Sequence, residues 1–308
     1  MTNLDEIDAL PPAEAPAKFD VSRFFLILAL LQALRIAIGF IAFPLALVPA
    51  LTIVTTAVFV AVPIYAVVSA AKNAWSPKRA FLFLVVGIAV HIGLTLLAKN
   101  VLHGFPMLLA ISVAQIGLFT WCVGLGALLA TLMKDKNLFI PITICLGLLD
   151  IYLIFAPTSL TRFIMEKAPQ VLPSVGASIP KIQSTVTSAP VGQFATIGPA
   201  DFVFLGMLFI ALYRFKLRTR QTLLILIPTV LIYLVLAAIF GAIPLLPPIV
   251  FTVLLVNIRE FKLTRDEWIS TALVSAIFVA LLVYGLTRPR EVETIKIPGP
   301  PVAEPKKG

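Results

Sequence analysis

Nine apolar runs, most of them about twenty residues long, follow one another between Phe24 and Leu286 with mostly short polar connections between them. That succession leaves few options. A bilayer core is about 30 Å thick and takes roughly 20 apolar residues as helix. Within it, only a backbone that satisfies its own polar groups can stand. The expected fold class is therefore all-α, a polytopic transmembrane helix bundle of about nine spans. With 60% hydrophobic residues, 13% charged residues and a mean hydropathy of +1.04, the chain has more apolar surface than one soluble core could cover.

The net charge of +9 does not point to a nucleic-acid partner. Most Lys and Arg lie in the connections, where they set topology, and no basic stripe interleaved with aromatics supports nucleic-acid binding. Cys122 and Cys145 both fall inside apolar runs. They offer neither a disulfide framework nor a Cys-rich metal site, and nothing in the sequence asks for a cofactor or a metal.

In chain order, residues 1–22 read as a polar, acidic, Pro-rich disordered tail. Residues 23–137 hold four spans. The first, about Phe24 to Phe43, carries Gln32 and Arg35 on one face, with Arg35 expected to snorkel or to bond a neighbouring helix. The third carries His91 and the fourth Gln115, both expected to join helices by hydrogen bonds. The stretch 101–133 reads as one long helix from about Pro106. Residues 138–258 form a core region with two further Asp-bearing spans, a long connection and a Pro-rich segment. In that connection, Leu160, Phe163, Ile164 and Val171 have the spacing of a short interfacial helix, and the stretch from Pro169 to Pro190 reads as extended or mobile. The span carrying Asp201 is expected to start near Phe194 and to kink or open at Gly198-Pro199-Ala200. Residues 259–287 give one more span, and 288–308 a polar tail.

Asp150 and Asp201 are the only two carboxylates inside long apolar runs; the other thirteen acidic residues lie in the N-terminal segment, the connections or the C-terminal tail. A charge at mid-bilayer costs about 2.5–3.5 kcal/mol on insertion scales, so an intramembrane Asp marks a functional site by default. Two on successive spans suggest a pair.

Three short stretches carry a resemblance. They are Asp150-Ile151-Tyr152-Leu153-Ile154-Phe155, then Gly198-Pro199-Ala200-Asp201-Phe202, then Pro244-Leu245-Leu246-Pro247. Their order and spacing resemble the three signatures of the presenilin and signal peptide peptidase family, in the manner of a divergent prokaryotic-type member, over roughly Pro141 to Asn257. Leu149 stands where the family has an aromatic residue, Ala200 where it has the second Gly, and Leu245 where it has Ala. The chain also has four spans before the Asp150 span where the family has five, and one additional span after the Pro motif.

The resemblance implies an intramembrane aspartyl protease with Asp150 and Asp201 catalytic, and with Gly198, Pro199, Ala200, Pro244, Leu245, Leu246 and Pro247 positioning the substrate. The implied partners are the lipid bilayer and a protein substrate presented as a transmembrane segment or remnant signal peptide. That segment would be unwound and paired as a strand with a loop stretch around Ile179 to Val191. Chemically, two carboxylates in a low-dielectric gap share one proton, so one can activate a water while the other protonates a peptide carbonyl.

Basic residues crowd the even connections (Lys72, Lys78 and Arg79; Lys134 and Lys136; Arg214 to Arg220; Arg259 to Arg265). The expectation is an integral protein of the plasma (inner) membrane with a cytoplasmic N-terminus and loop 157–200 outside. Two other readings compete: a proton-coupled secondary transporter using the same carboxylates, and an inactive scaffold related to the family, for which Ala200 is the argument. The sequence carries no signal for an oligomeric state.

Overall fold

The computed structural model describes residues 19–156, 159, 172–185, 193–240 and 244–287. Of these, 81% are helical, and seven helices are long and apolar enough to cross a membrane. The expected terminal tails, apart from residues 19–22, and the expected interfacial helix around Leu160 to Val171 lie outside the described residues.

The helices are α1 (Ser22–Phe40), α2 (Val48–Ala71), α3 (Pro77–Asn100), α4 (Gly104–Leu132), α5 (Phe139–Phe155), the single turn α6 (Leu172–Val175), α7 (Pro199–Arg214), α8 (Thr219–Phe240), α9 (Leu246–Asn257) and α10 (Arg265–Thr287). Local chemistry explains several boundaries. Ser76 caps α3 by accepting from the Arg79 N–H at 3.3 Å, with Pro77 as the first helical residue. Stretch 104–132 is one uninterrupted helix of 29 residues.

Four short strands complete the fold: β1 (Ala42–Phe43), β2 (Ala177–Pro180), β3 (Gln183–Ser184) and β4 (Gln193–Ile197). β1 pairs in parallel with β3, and β2 pairs antiparallel with β4. The end of the expected first span is thus strand, because Ala42 and Phe43 leave the helix to bond the loop. Of the stretch expected to be extended or mobile from Pro169 to Pro190, residues 177–180 and 183–184 are strand and are pinned by their partners, whereas Leu172–Val175 is a turn of helix.

α7 is the central helix. From Phe202 to Leu212 every residue except Phe204 is buried, and α2, α4, α5, α8 and α9 all pack against it. α4 approaches closest. A Cβ at Gly126 would lie 2.5 Å from the Val203 carbonyl oxygen and 2.8 Å from the Met207 nitrogen, so the two backbones touch with no side chain between them. α3 lies on the other side of α4, joined through a similar approach at Gly124. α5 packs on α9 and α10, and α9 on α8.

Polar groups inside the bundle are satisfied locally. Asn257, fully buried, donates to the Thr222 hydroxyl at 2.9 Å and the Val253 carbonyl at 2.8 Å, and accepts from the Arg218 N–H at 2.9 Å. It thereby ties α9 to the start of α8. Asn257→Ala removes these three bonds and leaves the buried Thr222 hydroxyl without its donor, and the expected loss is about 2 kcal/mol of stability, readable as a lower melting temperature in detergent.

Candidate active site

Seven helices are long enough to span, while α7 and α9, at 16 and 12 residues, are shorter. Both lose length at the same end, and that end is where Asp150 and Asp201 lie. Asp150 is eleven residues along α5 from Phe139, Asp201 is thirteen residues before Arg214, and Leu246 is eleven before Asn257. At 1.5 Å per residue these are rises of roughly 17, 20 and 17 Å from the ends of the helices that adjoin the basic connections. The three motifs therefore meet at one level.

The N-terminus of α9 is aimed at Asp150. Its Oδ2 accepts from the backbone N–H of Leu246 at 2.9 Å. A helix start exposes unpaired amides and a positive dipole end, but here Pro247 and Pro248 have no N–H to offer. Leu246 is left as the one donor of the first three helical residues, and Asp150 takes it. The Pro-rich segment thus touches the pair through a backbone donor.

Asp201 sits differently from its expected place. The residues before Gly198 are strand β4, and the helix starts at Pro199, so Phe194 is not its beginning. Pro199 therefore neither kinks nor opens a helix. It occupies the first helical position, where its fixed φ suits the geometry and its missing N–H costs nothing. Gly198 is the N-cap (φ −62°, ψ 143°), and Asp201, three residues on, accepts from the Gly198 N–H in half of a capping box.

Both carboxylates are thus anchored on helix-start amides and partly buried, and they are near enough for the charge of Asp150 to be felt at Asp201. Beside Asp201 a small pocket is lined by Val60 and Ile64 of α2, Ile197 of β4, Leu245 of the third motif and Ile249 of α9. It has room for about one water molecule. Of the other positions singled out from sequence, Pro244 is buried just ahead of α9, Pro247 lies in its first turn, and Ala200 is exposed and outside the pocket lining.

Two neighbours were not singled out from the sequence as part of the site. The Cys122 thiol of α4 lies 3.5 Å from the Pro199 carbonyl, beneath the start of α7. Tyr233 of α8 is close enough to Asp150 to interact with it electrostatically. Neither has a local sequence signal, since each is one polar atom in an apolar run. Among the described residues, no three His, Cys, Asp or Glu side chains cluster as metal ligands.

The loop reaches the site through the β2–β4 pair, in which Ser178 stands opposite Thr196. The Ser178 N–H is given to the Gln115 side chain and its carbonyl accepts from Arg35. Ser178 and Thr196 are therefore a non-hydrogen-bonded pair, and the backbone N–H and C=O of Thr196 point away from β2. Among the described residues no strand occupies that outer edge of β4. No family model, curated protein or solved structure matches this chain.

Proposed function

We propose that this protein is an intramembrane aspartyl protease of about nine spans with a presenilin-like core, cleaving transmembrane segments or remnant signal peptides in the plasma (inner) membrane. The observation that carries the reading is the placement of the pair: two carboxylates on facing helices, each tied to the N-terminal amide of a shortened helix, beside a pocket of water size.

The chemistry follows from that placement. The pair shares one proton. The ionised Asp removes a proton from a water as the water oxygen attacks the peptide carbon, while the protonated Asp gives its proton to the carbonyl oxygen. Collapse of the gem-diol returns one proton to a carboxylate, the other carboxyl protonates the departing amine, and acid and amine ends leave. The Leu246 and Gly198 amides hold the carboxylates in register through both steps.

A helical substrate hides its peptide bonds and must be presented extended. The open edge of β4 supports this, since Thr196 lies five residues before Asp201. Strand addition there is the mode by which sheet edges take extended peptides. The pairing edge is thus β4 rather than the stretch around Ile179 to Val191, where Ile179 and Pro180 are in the inner strand, Gln183 and Ser184 pair with β1, and 186–191 lie outside the described residues.

Thr196→Pro provides a check. It removes an N–H that faces outward, so the β2–β4 ladder stays intact, while an incoming strand loses one hydrogen bond. The expected result is a rise in KM of about threefold to tenfold with kcat little changed; Thr196→Ala should leave both values near those of the parent.

The functional test is direct. The protein is reconstituted in liposomes with a single-span substrate, and the products are read by mass spectrometry with and without an aspartyl-protease transition-state analogue. Analogue-sensitive cleavage within the span supports the proposal. Shortened helices beside paired carboxylates also suit a transport site, so proton-coupled uptake without cleavage would replace the protease with a secondary transporter. Labelling by the analogue without turnover would leave an inactive scaffold with an intact pocket.

A further inference from the structure

Arg35, His91 and Gln115 belong to three different helices, and the simplest expectation for each is a bond to a neighbouring helix. The structure directs all three at one short stretch of the loop. Gln115 of α4 donates through Nε2 to the Gly176 carbonyl at 3.2 Å and accepts through Oε1 from the Ser178 N–H at 3.3 Å. Arg35 of α1 donates to the Ser178 carbonyl and hydroxyl, and also to Gln32 Oε1 at 3.5 Å. His91 of α3 places its Nδ1 3.0 Å from the Ala114 carbonyl and also bonds the backbone of Ser174. Loop residues 174, 176 and 178 are thus held in turn by α3, α4, and α4 with α1.

The Gln115 contact has a specific form. In a parallel ladder, one residue of the neighbouring strand bonds the carbonyl of residue i−1 and the N–H of residue i+1. The Gln115 amide bonds the carbonyl of 176 and the N–H of 178, and so occupies the place of one residue of a strand beside Ala177. Arg35 then takes the next outward-facing group, the Ser178 carbonyl. β2 is buried over its whole length, with Ile179 2% exposed and Ser178 4% exposed. An unpaired strand edge there would be costly in a water-poor setting and an invitation to wrong pairing. Side chains close it.

We propose that Arg35, Gln115 and His91 form a dock that holds β2 in a fixed register and seals its outer edge, leaving the edge of β4 next to Asp201 as the place where a substrate strand adds. These are positioning residues, acting through β2 and β4 on the Gly198–Asp201 turn. Because β4 runs into Gly198 with no intervening residue, a slip of β2 moves the cap of α7 and with it the Asp201 carboxylate. The consequence for cleavage rests on the protease reading; the dock itself does not.

The test uses the full chain in lipid nanodiscs and has two readouts. The first is amide hydrogen exchange, comparing the parent with Arg35→Ala, Gln115→Leu and Arg35→Lys. The expected result for Arg35→Ala and Gln115→Leu is exchange at least about tenfold faster in peptides covering 176–180 and 193–197, with α3, α4 and α10 unchanged and partial restoration in Arg35→Lys. Unchanged exchange in those strands overturns the dock. Faster exchange throughout the bundle, with a matching fall in melting temperature, also overturns it, because the residues would then serve general stability. Gln115→Leu keeps the experiment decisive if Arg35→Ala does not fold.

The second readout is cleavage of the single-span substrate. The expected result is a fall of about tenfold or more in kcat/KM for both variants, with a wider range of cleavage positions because the strand register is no longer fixed. A loosened strand with unaltered cleavage would overturn the positioning role. A loosened strand in a protein whose parent form never cleaves would uphold the dock and overturn the protease reading instead.

Discussion

Asp150→Asn and Asp201→Asn should each abolish cleavage while leaving the fold intact. The amide oxygen of Asn can still accept from the Leu246 N–H at position 150 and from the Gly198 N–H at position 201, so the helix-start bonds survive in both variants. What is lost is the exchange of a proton between water, substrate and the pair. General acid–base contributions are about 10²–10⁴-fold, and neither partner works alone, so each single variant should fall by at least about a thousandfold and the double variant little further. Initial rates with the single-span substrate, beside melting temperatures in the same detergent, are the measurement. The comparison matters because Asp201 has a structural occupation as a capping residue. If Asp201→Asn cleaves at the parent rate, capping is its whole role and the dyad is gone.

The second large effect is expected far from any carboxylate. Gly126→Ala puts a methyl group 2.5 Å from the Val203 carbonyl oxygen and 2.8 Å from the Met207 nitrogen. Both obstacles are backbone, which cannot rotate aside as a side chain can, so α7 has to move away from α4. Overpacking of this kind costs about 1–3 kcal/mol. Since Val203 is two residues from Asp201, the displacement reaches the carboxylate, and an error near 1 Å in placing a reacting group costs about a hundredfold in rate. The matched control is Gly93→Ala in α3, where an added Cβ meets nothing within 4 Å. It should be neutral or stabilising by up to about 1 kcal/mol, as expected for Gly to Ala in a helix, with unchanged activity. Activity and melting temperature of the two variants, measured side by side, separate a contact effect from the general effect of adding a methyl group.

Much of the helical layout was legible because apolar run length and basic punctuation are local properties. The expected spans at 80–98, 138–156, 222–240 and 268–286 differ from α3, α5, α8 and α10 by at most three residues at either end. The stretch 193–197 is strand where the sequence predicts helix from about Phe194, since Gln193 to Ile197 continues an apolar run that a helix would use equally well. A short apolar run does not by itself distinguish strand from helix. Its strand conformation depends on a partner, β2, that lies more than ten residues earlier in the chain. The proline of Gly198-Pro199-Ala200 begins a helix where its sequence context predicts a kink, because whether a proline breaks a helix or begins one depends on what precedes it.

The candidate site divides in the same way. Asp150 and Asp201 stood out because burying a carboxylate is costly, and that cost depends on residue type and on surrounding hydropathy, both of which can be read along a line. The jobs of Arg35, Gln115 and Leu246 could not be read so. A polar side chain in an apolar run announces that it needs a partner without saying which, and Leu246 contributes a backbone amide that every residue but proline possesses.

By itself, then, the amino-acid order determined that the fold is built of long apolar helices, roughly where most of them stop, and which two acids fall inside the apolar runs. Only the three-dimensional packing decided that α7 and α9 begin at one level, that β4 leads into the cap of Asp201, and that side chains from α1, α3 and α4 hold the loop. Helix formation is settled by bonds between residues four apart, whereas the β2–β4 pairing and the contact of the α9 start with Asp150 join groups more than ten residues apart, for which the linear pattern carries no address.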